Sequence, residues 1–216
     1  MTNLFKFMNV FVKVYFLLKK RVLMKSIKKI GENFSFDPKS EIVSPHYLEI
    51  GDNVFIGSNA YISADISIGN NVMMGPSLTI LGGDHFFAVK GKYQRFLYPK
   101  ERENVKKIYL EDDIWIGANV TLFGGVTIGA GSVIGACSVV IKSLPPFTVC
   151  VGHICKPIKK IFSDEDLKEH LQILGLKEDR IDEIINRRNF ELTTWSIQNI
   201  KSVDNTNIYW ETLEDE

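Results

Sequence analysis

Apolar residues recur at every sixth position in two stretches of this chain. From Ile50 the sequence divides into IGDNVF, IGSNAY, ISADIS, IGNNVM, MGPSLT and ILGGDH, and from Leu110 into LEDDIW, IGANVT, LFGGVT, IGAGSV, IGACSV and VIKSLP. A period of six is too short for helical or propeller repeats and is typical of β-helices, in which each hexad supplies a short strand and a corner. The pattern therefore predicts a parallel β-helix with three hexads in each coil.

The chemistry of each hexad position supports this prediction. The leading Ile, Leu, Val or Met is expected to point inward, and the fifth residue, which is usually small or β-branched, fits beside it. Glycine, asparagine and aspartate at the remaining positions suit tight corners. The leading residues should therefore be among the most buried in the chain.

The six-residue period stops between His85 and Leu110. The intervening segment, FFAVKGKYQRFLYPKERENVKK, is rich in basic and aromatic residues and predicts an external loop over residues 86–107. A loop of this length in a compact domain usually carries function. The alternative is an insertion that is merely tolerated at a corner.

The N-terminal segment is apolar and basic at once. Residues 4–18 read LFKFMNVFVKVYFLL, and residues 1–31 hold eight basic side chains and no acidic one. Fifteen residues with two lysines are too few and too charged for a spanning helix, which needs about 20 apolar residues. Two interpretations follow: a helix that packs on the first coil or a neighbouring subunit, or one that lies on the anionic inner leaflet of a membrane.

The C-terminal part abandons the period from Ser163. This serine is a plausible N-cap for SDEDLKEHLQILGL, and KEDRIDEIINRR predicts a second helix. We expect both to cap the open end of the β-helix. The predicted organisation is a basic N-terminal helix over residues 1–31, a β-helix over residues 32–162 and a helical extension over residues 163–216.

Composition narrows the classes of function. The chain has 216 residues, 45% of them apolar, and zero formal charge. This is enough to bury a core, and no nucleic-acid partner is expected. Three cysteines fit free thiols in a reducing compartment, so the cytoplasm is the expected location. The four histidines show no close paired spacing, which disfavours a zinc-dependent hydratase, and no metal is predicted.

The ordered motifs resemble those of the hexapeptide-repeat acyltransferases. The segment DDIWIGANVTLFGGVTIGAGSVIGACSVVIKSLPPFTVCVGHICKPIKKI is similar to the closing part of the sugar and xenobiotic O-acetyltransferase branch, where W-I-G, G-V-T-I-G, G-A-G-S-V-V, K-D-x-P-P and G-N-P-A-K follow one another. The resemblance implies a left-handed parallel β-helix, an exception to the usual right-handed crossover. It also implies a homotrimer with active sites between subunits and acetyl-CoA as the acyl donor.

The resemblance also implies roles for individual residues. His85, where the loop leaves the repeats, matches the family's catalytic histidine, and a neutral imidazole could take the proton of a sugar hydroxyl as it attacks a thioester. From its place beside His85, Asp84 is a candidate for binding the acceptor or for tuning the imidazole, and the alternative is a solvated corner residue. Residues that match coenzyme-binding positions are Trp115, Ala118, Ala136, Lys142 and Lys156.

The expected function is the transfer of acetyl from acetyl-CoA to a sugar hydroxyl, in bacterial surface polysaccharide or lipopolysaccharide synthesis. Alternatives on the same scaffold are N-acetylation of a nucleotide-linked amino sugar and acetylation of a xenobiotic, and a third is a non-catalytic repeat scaffold. Cys137 is a competing nucleophile, although it falls on a repeat corner. The enzyme is expected in the cytoplasm, with peripheral contact with the inner face of the membrane as the additional interpretation.

Overall fold

The computed structural model describes residues 2–83, 89–97 and 105–204, and within those ranges the side chains of residues 10–83, 89–97 and 105–196. The chain divides into two units, Met1–Lys159 and Lys160–Glu216. The first unit is the predicted left-handed parallel β-helix with a helix before it. The second unit is helical.

Five complete coils of three short strands build the β-helix. The strands are β1 (Lys29–Ile30), β2 (Ser35–Phe36) and β3 (Glu41–Ile42) in coil 1, β4 (Leu48–Ile50), β5 (Phe55–Ile56) and β6 (Tyr61–Ser63) in coil 2, β7 (Ile66–Ile68), β8 (Met73–Met74) and β9 (Thr79–Leu81) in coil 3, β10 (Ile108–Leu110), β11 (Trp115–Ile116) and β12 (Thr121–Phe123) in coil 4, and β13 (Thr127–Ile128), β14 (Val133–Ile134) and β15 (Val139–Val140) in coil 5. Strands β16 (Thr148–Gly152) and β17 (Cys155–Lys160) close the end.

Equivalent strands of successive coils stack into three parallel sheets, which form the faces of a triangular prism. The first sheet has the order β1-β4-β7-β10-β13, the second β17-β16-β14-β11-β8-β5-β2 and the third β15-β12-β9-β6-β3. Pairing is in register from coil to coil; Phe55, for example, pairs with Met73, and Met73 with Trp115. Residues at the same hexad position in successive coils therefore lie directly above one another on each face of the prism.

The leading residues of the hexads form the core, as predicted. Their exposed fraction lies between 0% and 3% at Ile50, Ile56, Ile62, Ile68, Met74, Ile80, Leu110, Ile116, Leu122, Ile128, Ile134 and Val140. Burial of an aliphatic side chain contributes about 1.5–3 kcal/mol, so these leading residues together supply most of the stabilisation of the prism.

The β-helix begins one coil earlier than the hexads reveal. Strand β1 starts at Lys29, ahead of the predicted start at residue 32, and coil 1 precedes the first clear hexad at Ile50. A 3₁₀ turn at Pro45–Tyr47 inserts two residues between the leading positions Ile42 and Ile50, and this shift hides the earlier repeat.

Three helices complete the described chain. The N-terminal helix α1 spans Thr2–Ser26, and the C-terminal unit contains α2 (Asp164–Ile173) and α3 (Glu178–Asp204). The predicted cap at Ser163 is confirmed, because its Oγ accepts a hydrogen bond from the Asp166 N–H at 2.9 Å. Within the described ranges, none of these helices combines the length and apolar character that crossing a bilayer requires.

Candidate functional site

The interruption of the repeats lies at the corner between the third and first sheets, here called the loop corner. Strand β9 ends at Leu81 and β10 begins at Ile108, so the chain leaves the prism after the first and returns to it at the second. The two stems are joined through the backbone, since the Lys106 N–H donates to the Gly82 carbonyl at 2.9 Å. Gly82 in turn donates to Ser63 of coil 2 at 2.8 Å, and Gly125 of coil 4 donates to Lys106 at 3.2 Å.

The stem is packed too closely for any other residue at Gly82. A Cβ there would lie 2.6 Å from the Ala64 Cα, and a Cβ at Gly124 would lie 2.7 Å from the Gly82 carbonyl oxygen. These separations are far below contact distance, so both glycines are required by close packing. The stem therefore fixes the position at which the chain leaves the prism at Gly83.

The predicted catalytic residue His85 and the candidate acceptor-binding residue Asp84 lie outside the described residues, directly after this stem in sequence. Their assignment as base and acceptor-binding residue stays a prediction. The described part of the loop, residues 89–97, contains a 3₁₀ turn at Gln94–Phe96. Its aromatic side chains Tyr93 and Phe96 are 81% and 71% exposed, which leaves their ring faces open to a ligand.

The second sheet carries an apolar column on its outer face. Phe55, Met73 and Trp115 pair in register on adjacent strands, and their side chains are 46%, 49% and 53% exposed. Trp115, a predicted coenzyme-binding residue, is thus one of a stacked set. Phe55 and Met73 were not predicted from the sequence. The signal was present, because Phe55, Met73 and Trp115 each occupy the sixth position of a hexad and their hexads are three or six repeats apart.

The corner between the second and third sheets, here called the alanine corner, contains Ala118 and Ala136. A Cβ at Gly117 would lie 2.6 Å from the Ala136 nitrogen, so glycine allows the two coils to stack closely here. Ala118 is partly exposed and Ala136 is exposed. The corner is therefore narrow and free of bulky side chains, as a thin pantetheine arm would require.

Backbone donors at the alanine corner are available to a ligand. The amides beside Ala118 donate to neighbouring coils, Gly117 to Ile134 and Asn119 to Pro76, and the amide of Cys137 donates to the Ala118 carbonyl at 2.9 Å. Among the residues that the structure describes, the Ala118 and Ala136 amides donate to no backbone carbonyl. Two N–H groups in adjacent coils can thus bind carbonyl oxygens of an extended ligand.

The two predicted phosphate-binding lysines lie at different places. Lys156 is exposed on β17, the edge strand of the second sheet that also carries Trp115. Lys142 is exposed and follows β15 of the third sheet, which places it at the loop corner of coil 5. The structure therefore groups Trp115, Ala118, Ala136 and Lys156 on and beside one face, and Lys142 with the stem that precedes His85.

Within the part of the prism that the structure describes, the two groups lie apart. The third sheet separates the alanine corner from the loop corner, and its strands of two or three residues with their corner residues span about 10–15 Å at about 3.3 Å per residue. Among the described residues of one prism, the loop stem and the predicted coenzyme face thus lie apart; the two groups are here called half-sites.

The cysteines differ in their capacity to react. Burial raises the pKa of Cys150 to about 12 and that of Cys155 to about 11, which keeps both thiols protonated at neutral pH. Cys137 is exposed beside the alanine corner, with a φ of 61° that identifies it as a corner residue. No cluster of His, Cys, Asp or Glu suited to a metal ion occurs among residues that the structure describes.

The family model for bacterial transferase hexapeptide, with six repeats, matches residues 48–82 and 107–142. The matched segments are coils 2 and 3 and coils 4 and 5, and they stop at the two stems of the loop. The family pattern and the structure thus agree on where the prism is interrupted.

Relatives of known name share this region. The chain is 34% identical over 158 residues to a galactoside O-acetyltransferase of Lactococcus lactis, covering 69% of this chain and 70% of the relative. A maltose O-acetyltransferase from Clostridium difficile superposes with a TM-score of 0.59 at 29% identity, over 67% of this chain and 75% of that one. A hexapeptide-repeat acetyltransferase from Vibrio cholerae, solved with acetyl coenzyme A, gives 0.57 at 30% identity, over 67% and 76%.

Proposed function

Because the chain belongs to the bacterial transferase hexapeptide family, we propose that it transfers an acetyl group from acetyl-CoA to a hydroxyl group of a sugar. The enzyme is an acetyltransferase, like the relatives that it matches over most of its prism. The observation that carries the sugar as acceptor is the 34% identity to a galactoside O-acetyltransferase, which spans both halves of the interrupted repeat.

His85 is proposed as the general base of a direct transfer. A sugar hydroxyl is a weak nucleophile, so a neutral imidazole must accept its proton as the oxygen attacks the thioester carbonyl carbon. Collapse of the tetrahedral intermediate breaks the carbon–sulfur bond, and the imidazolium can return the proton to the departing thiolate. Backbone N–H groups at the glycine-rich stem are the proposed donors to the oxyanion.

The coenzyme is proposed to lie along the alanine corner. Trp115 would cover the pantetheine arm, the amides of Ala118 and Ala136 would bind its carbonyl oxygens, and Lys156 would attract the phosphates. Lys142, at the loop corner, would reach the same coenzyme only from a different chain. Asp84 is proposed to hold the acceptor.

This division into half-sites supports a homotrimer with active sites between subunits. Three-fold association can place the loop corner of one prism against the alanine corner of the next, and the symmetry then generates three equivalent sites. The exposed column of Phe55, Met73 and Trp115 gives the second sheet an apolar face that such packing would cover.

We place the acceptor on a bacterial surface polysaccharide or lipopolysaccharide, acetylated in the cytoplasm where the donor is made. The exposed rings of Tyr93 and Phe96 support a saccharide acceptor, since the apolar faces of sugar rings stack on aromatic side chains. Arg95, between them in sequence, would suit an acidic glycan.

A screen of acceptors tests this function. Purified enzyme is incubated with acetyl-CoA and a panel of sugars, nucleotide-linked amino sugars and xenobiotics, and release of the coenzyme thiol is followed. The acetyl group on the product should be removed by mild alkali, as an ester is and an amide is not. Transfer to an amine, or no transfer to any sugar, would overturn the proposal.

Substitution of His85 tests the mechanism. His85→Ala should lower kcat by about 10²–10⁴-fold, the usual contribution of a general base, while calorimetry finds the affinity for coenzyme A nearly unchanged. Cys137→Ala is the matched control and should change kcat little. An acetylated Cys137 trapped during turnover would reverse the assignment.

A further inference from the structure

The N-terminal helix α1 attaches to the prism through its polar side. The Lys19 ammonium donates to the carbonyl oxygens of Pro38 and Ser40, at 3.1 and 2.9 Å, and the Lys20 ammonium lies 5.5 Å from the centre of the Phe36 ring. Of the α1 side chains that the structure describes, Leu23 alone is buried. The helix is thus held by two lysines and one leucine against coil 1.

The opposite side of α1 is open and largely apolar, with Arg21 and Lys25 on the same side near the C-terminal end of the helix. Its exposed fractions lie between 46% and 68% at Val10, Val14, Leu17, Leu18 and Val22. The spacing of these residues by three or four places them on one stripe of the helix. Helices of soluble proteins bury such a stripe against the core, so α1 has the reverse orientation. The apolar surface continues into a shallow groove beside Pro45.

The positive charge of α1 indicates which kind of surface can cover this apolar stripe. Lys13, Arg21 and Lys25 are exposed along α1, and residues 1–31 contain no acidic side chain. Pairing of two copies of α1 would bring like charges together without a carboxylate to compensate them. An anionic lipid surface complements both features, because it accepts apolar side chains and attracts cations.

We propose that α1 is an interfacial helix that binds the enzyme to the surface of an anionic bilayer. At about 1.5 Å per residue, its 25 residues extend about 37 Å. It would lie in the plane of the membrane, with the stripe among the acyl chains and the lysines and arginine at the phosphates. This inference is independent of the proposed reaction and would hold for any acceptor.

Co-sedimentation of the full-length protein with vesicles tests the inference. Vesicles of phosphatidylcholine are compared with vesicles that contain phosphatidylcholine and phosphatidylglycerol at about 3:1. The protein should bind only the anionic vesicles, and the binding should weaken with salt because the cations are exposed. Equal binding to both, or to neither, would overturn the proposal.

Two pairs of variants separate the apolar and electrostatic contributions. Leu17→Gln with Leu18→Gln keeps the charge and should abolish binding, whereas Ile173→Gln with Leu174→Gln, an equally exposed pair at the end of α2, should not alter it. Arg21→Gln with Lys25→Gln should weaken partitioning by about 10- to 30-fold. Its charge-matched control, Lys159→Gln with Lys177→Gln, should leave partitioning within about twofold.

The mass of the lipid-free protein in solution tests the competing explanation, in which a second copy of the chain covers the stripe. Light scattering should give the same mass for the wild type and for the Leu17→Gln, Leu18→Gln variant, and circular dichroism should show that both are folded. A smaller mass for the variant would assign the stripe to a contact between copies and overturn the membrane proposal.

Discussion

At the scale of single residues, the fourth position of the hexads determines the corners of the prism. Most of these residues adopt the left-handed conformation, with φ between 56° and 61° at Asn53, Asn59, Asn71, Ser77, Asp113, Asn119 and Cys137. Asparagine and aspartate tolerate this region because their short polar side chains bond locally, whereas other residues lose roughly 1–2 kcal/mol there. Cys137 occupies the same corner position of its hexad, and its alternative role as a nucleophile stays a hypothesis.

The three cysteines should react in two classes. One thiol, that of Cys137, should react with a chromogenic aromatic disulfide in the native protein at pH 8, because Cys150 and Cys155 are buried and their pKa values are raised to about 12 and about 11. All three should react in guanidinium chloride. Cys137→Ser is the control that removes the native signal, and a second reactive thiol in the native state would contradict the assignment.

At the scale of the coil, close stacking at the alanine corner depends on glycine. Gly117→Ala should destabilise the prism by about 2–4 kcal/mol, since the new Cβ would lie 2.6 Å from the Ala136 nitrogen and 3.0 Å from the Ile134 oxygen, both backbone atoms. Thermal unfolding followed by circular dichroism measures the loss.

Gly91→Ala provides the comparison for that substitution. Unlike Gly117, Gly91 has a positive φ, of 75°, but a Cβ there would meet no atom within 4 Å. This variant should lose only the backbone contribution, about 1 kcal/mol. Equal losses for the two variants would show that stacking distance is not the cause.

The C-terminal helices are held by a buried arginine. Arg188 is fully buried, and it donates to Asp164 at 2.6 Å and to the carbonyl of Phe162 at 3.1 Å. Hydrogen bonds from Lys160, Asn189 and Arg188 lower the pKa of Asp164 to about 2. Since an aspartate with a lowered pKa stabilises the folded state above its unfolded pKa, this contribution should be lost as the pH falls from about 4 to about 2.

Substitution of Asp164 should therefore act in a pH-dependent way. Asp164→Asn should cost about 1–2 kcal/mol at pH 7, less than a fully buried pair because the carboxylate is partly exposed. Chemical denaturation of both proteins at several pH values should show the difference shrinking towards zero near pH 2. A difference that is constant with pH would contradict the ionic explanation.

The hexads predicted the prism better than they predicted its ends. Their leading residues, corners and interruption follow from the period, because burial and backbone conformation repeat with it. Coil 1 was hidden by the two-residue shift at Pro45–Tyr47, which breaks the period without breaking the stack. The orientation of α1 could not be predicted, since Lys19 and Lys20 turn inward only because carbonyl groups and the Phe36 ring of coil 1 lie there.

The separation of the half-sites can be predicted from the sequence by counting the position of each hexad within its coil. The hexads that contain His85 and Lys142 are both third in their coils, which assigns their corner to the junction of the third and first sheets. Trp115 ends the first hexad of its coil and so enters the second sheet. We propose that the two corners meet between subunits, and the period of one sequence does not encode how subunits pack.

At the scale of the whole molecule, two inactive variants should complement each other. In His85→Ala the loop corner is disabled, and in Ala136→Tyr an exposed bulky ring blocks the alanine corner. When the two chains are co-expressed with different tags and mixed assemblies are isolated on both, about one third of the sites should combine an intact loop corner with an intact alanine corner.

The specific activity of these mixed trimers should therefore approach about one third of the wild-type value. Each variant purified alone provides the baseline, and a mixture of separately assembled variants controls for subunit exchange. Mixed assemblies that remain as inactive as the parents would place both half-sites in the same chain.

The backbone hydrogen bond between Gly82 and Lys106 closes the loop at its stem, so one loop can be replaced by another. Across the interruption, coil-to-coil partners are 42 residues apart, as in the bond from the Asn70 amide to Asp112, whereas uninterrupted coils join residues 18 apart. Because closure entropy grows only with the logarithm of length, the longer span costs about 0.8 kcal/mol more. Segments of different length and sequence can therefore be grafted between the same two stem residues while the repeats retain their pairing. Evolution and engineering can thus exchange the loop without redesigning the repeats that support it.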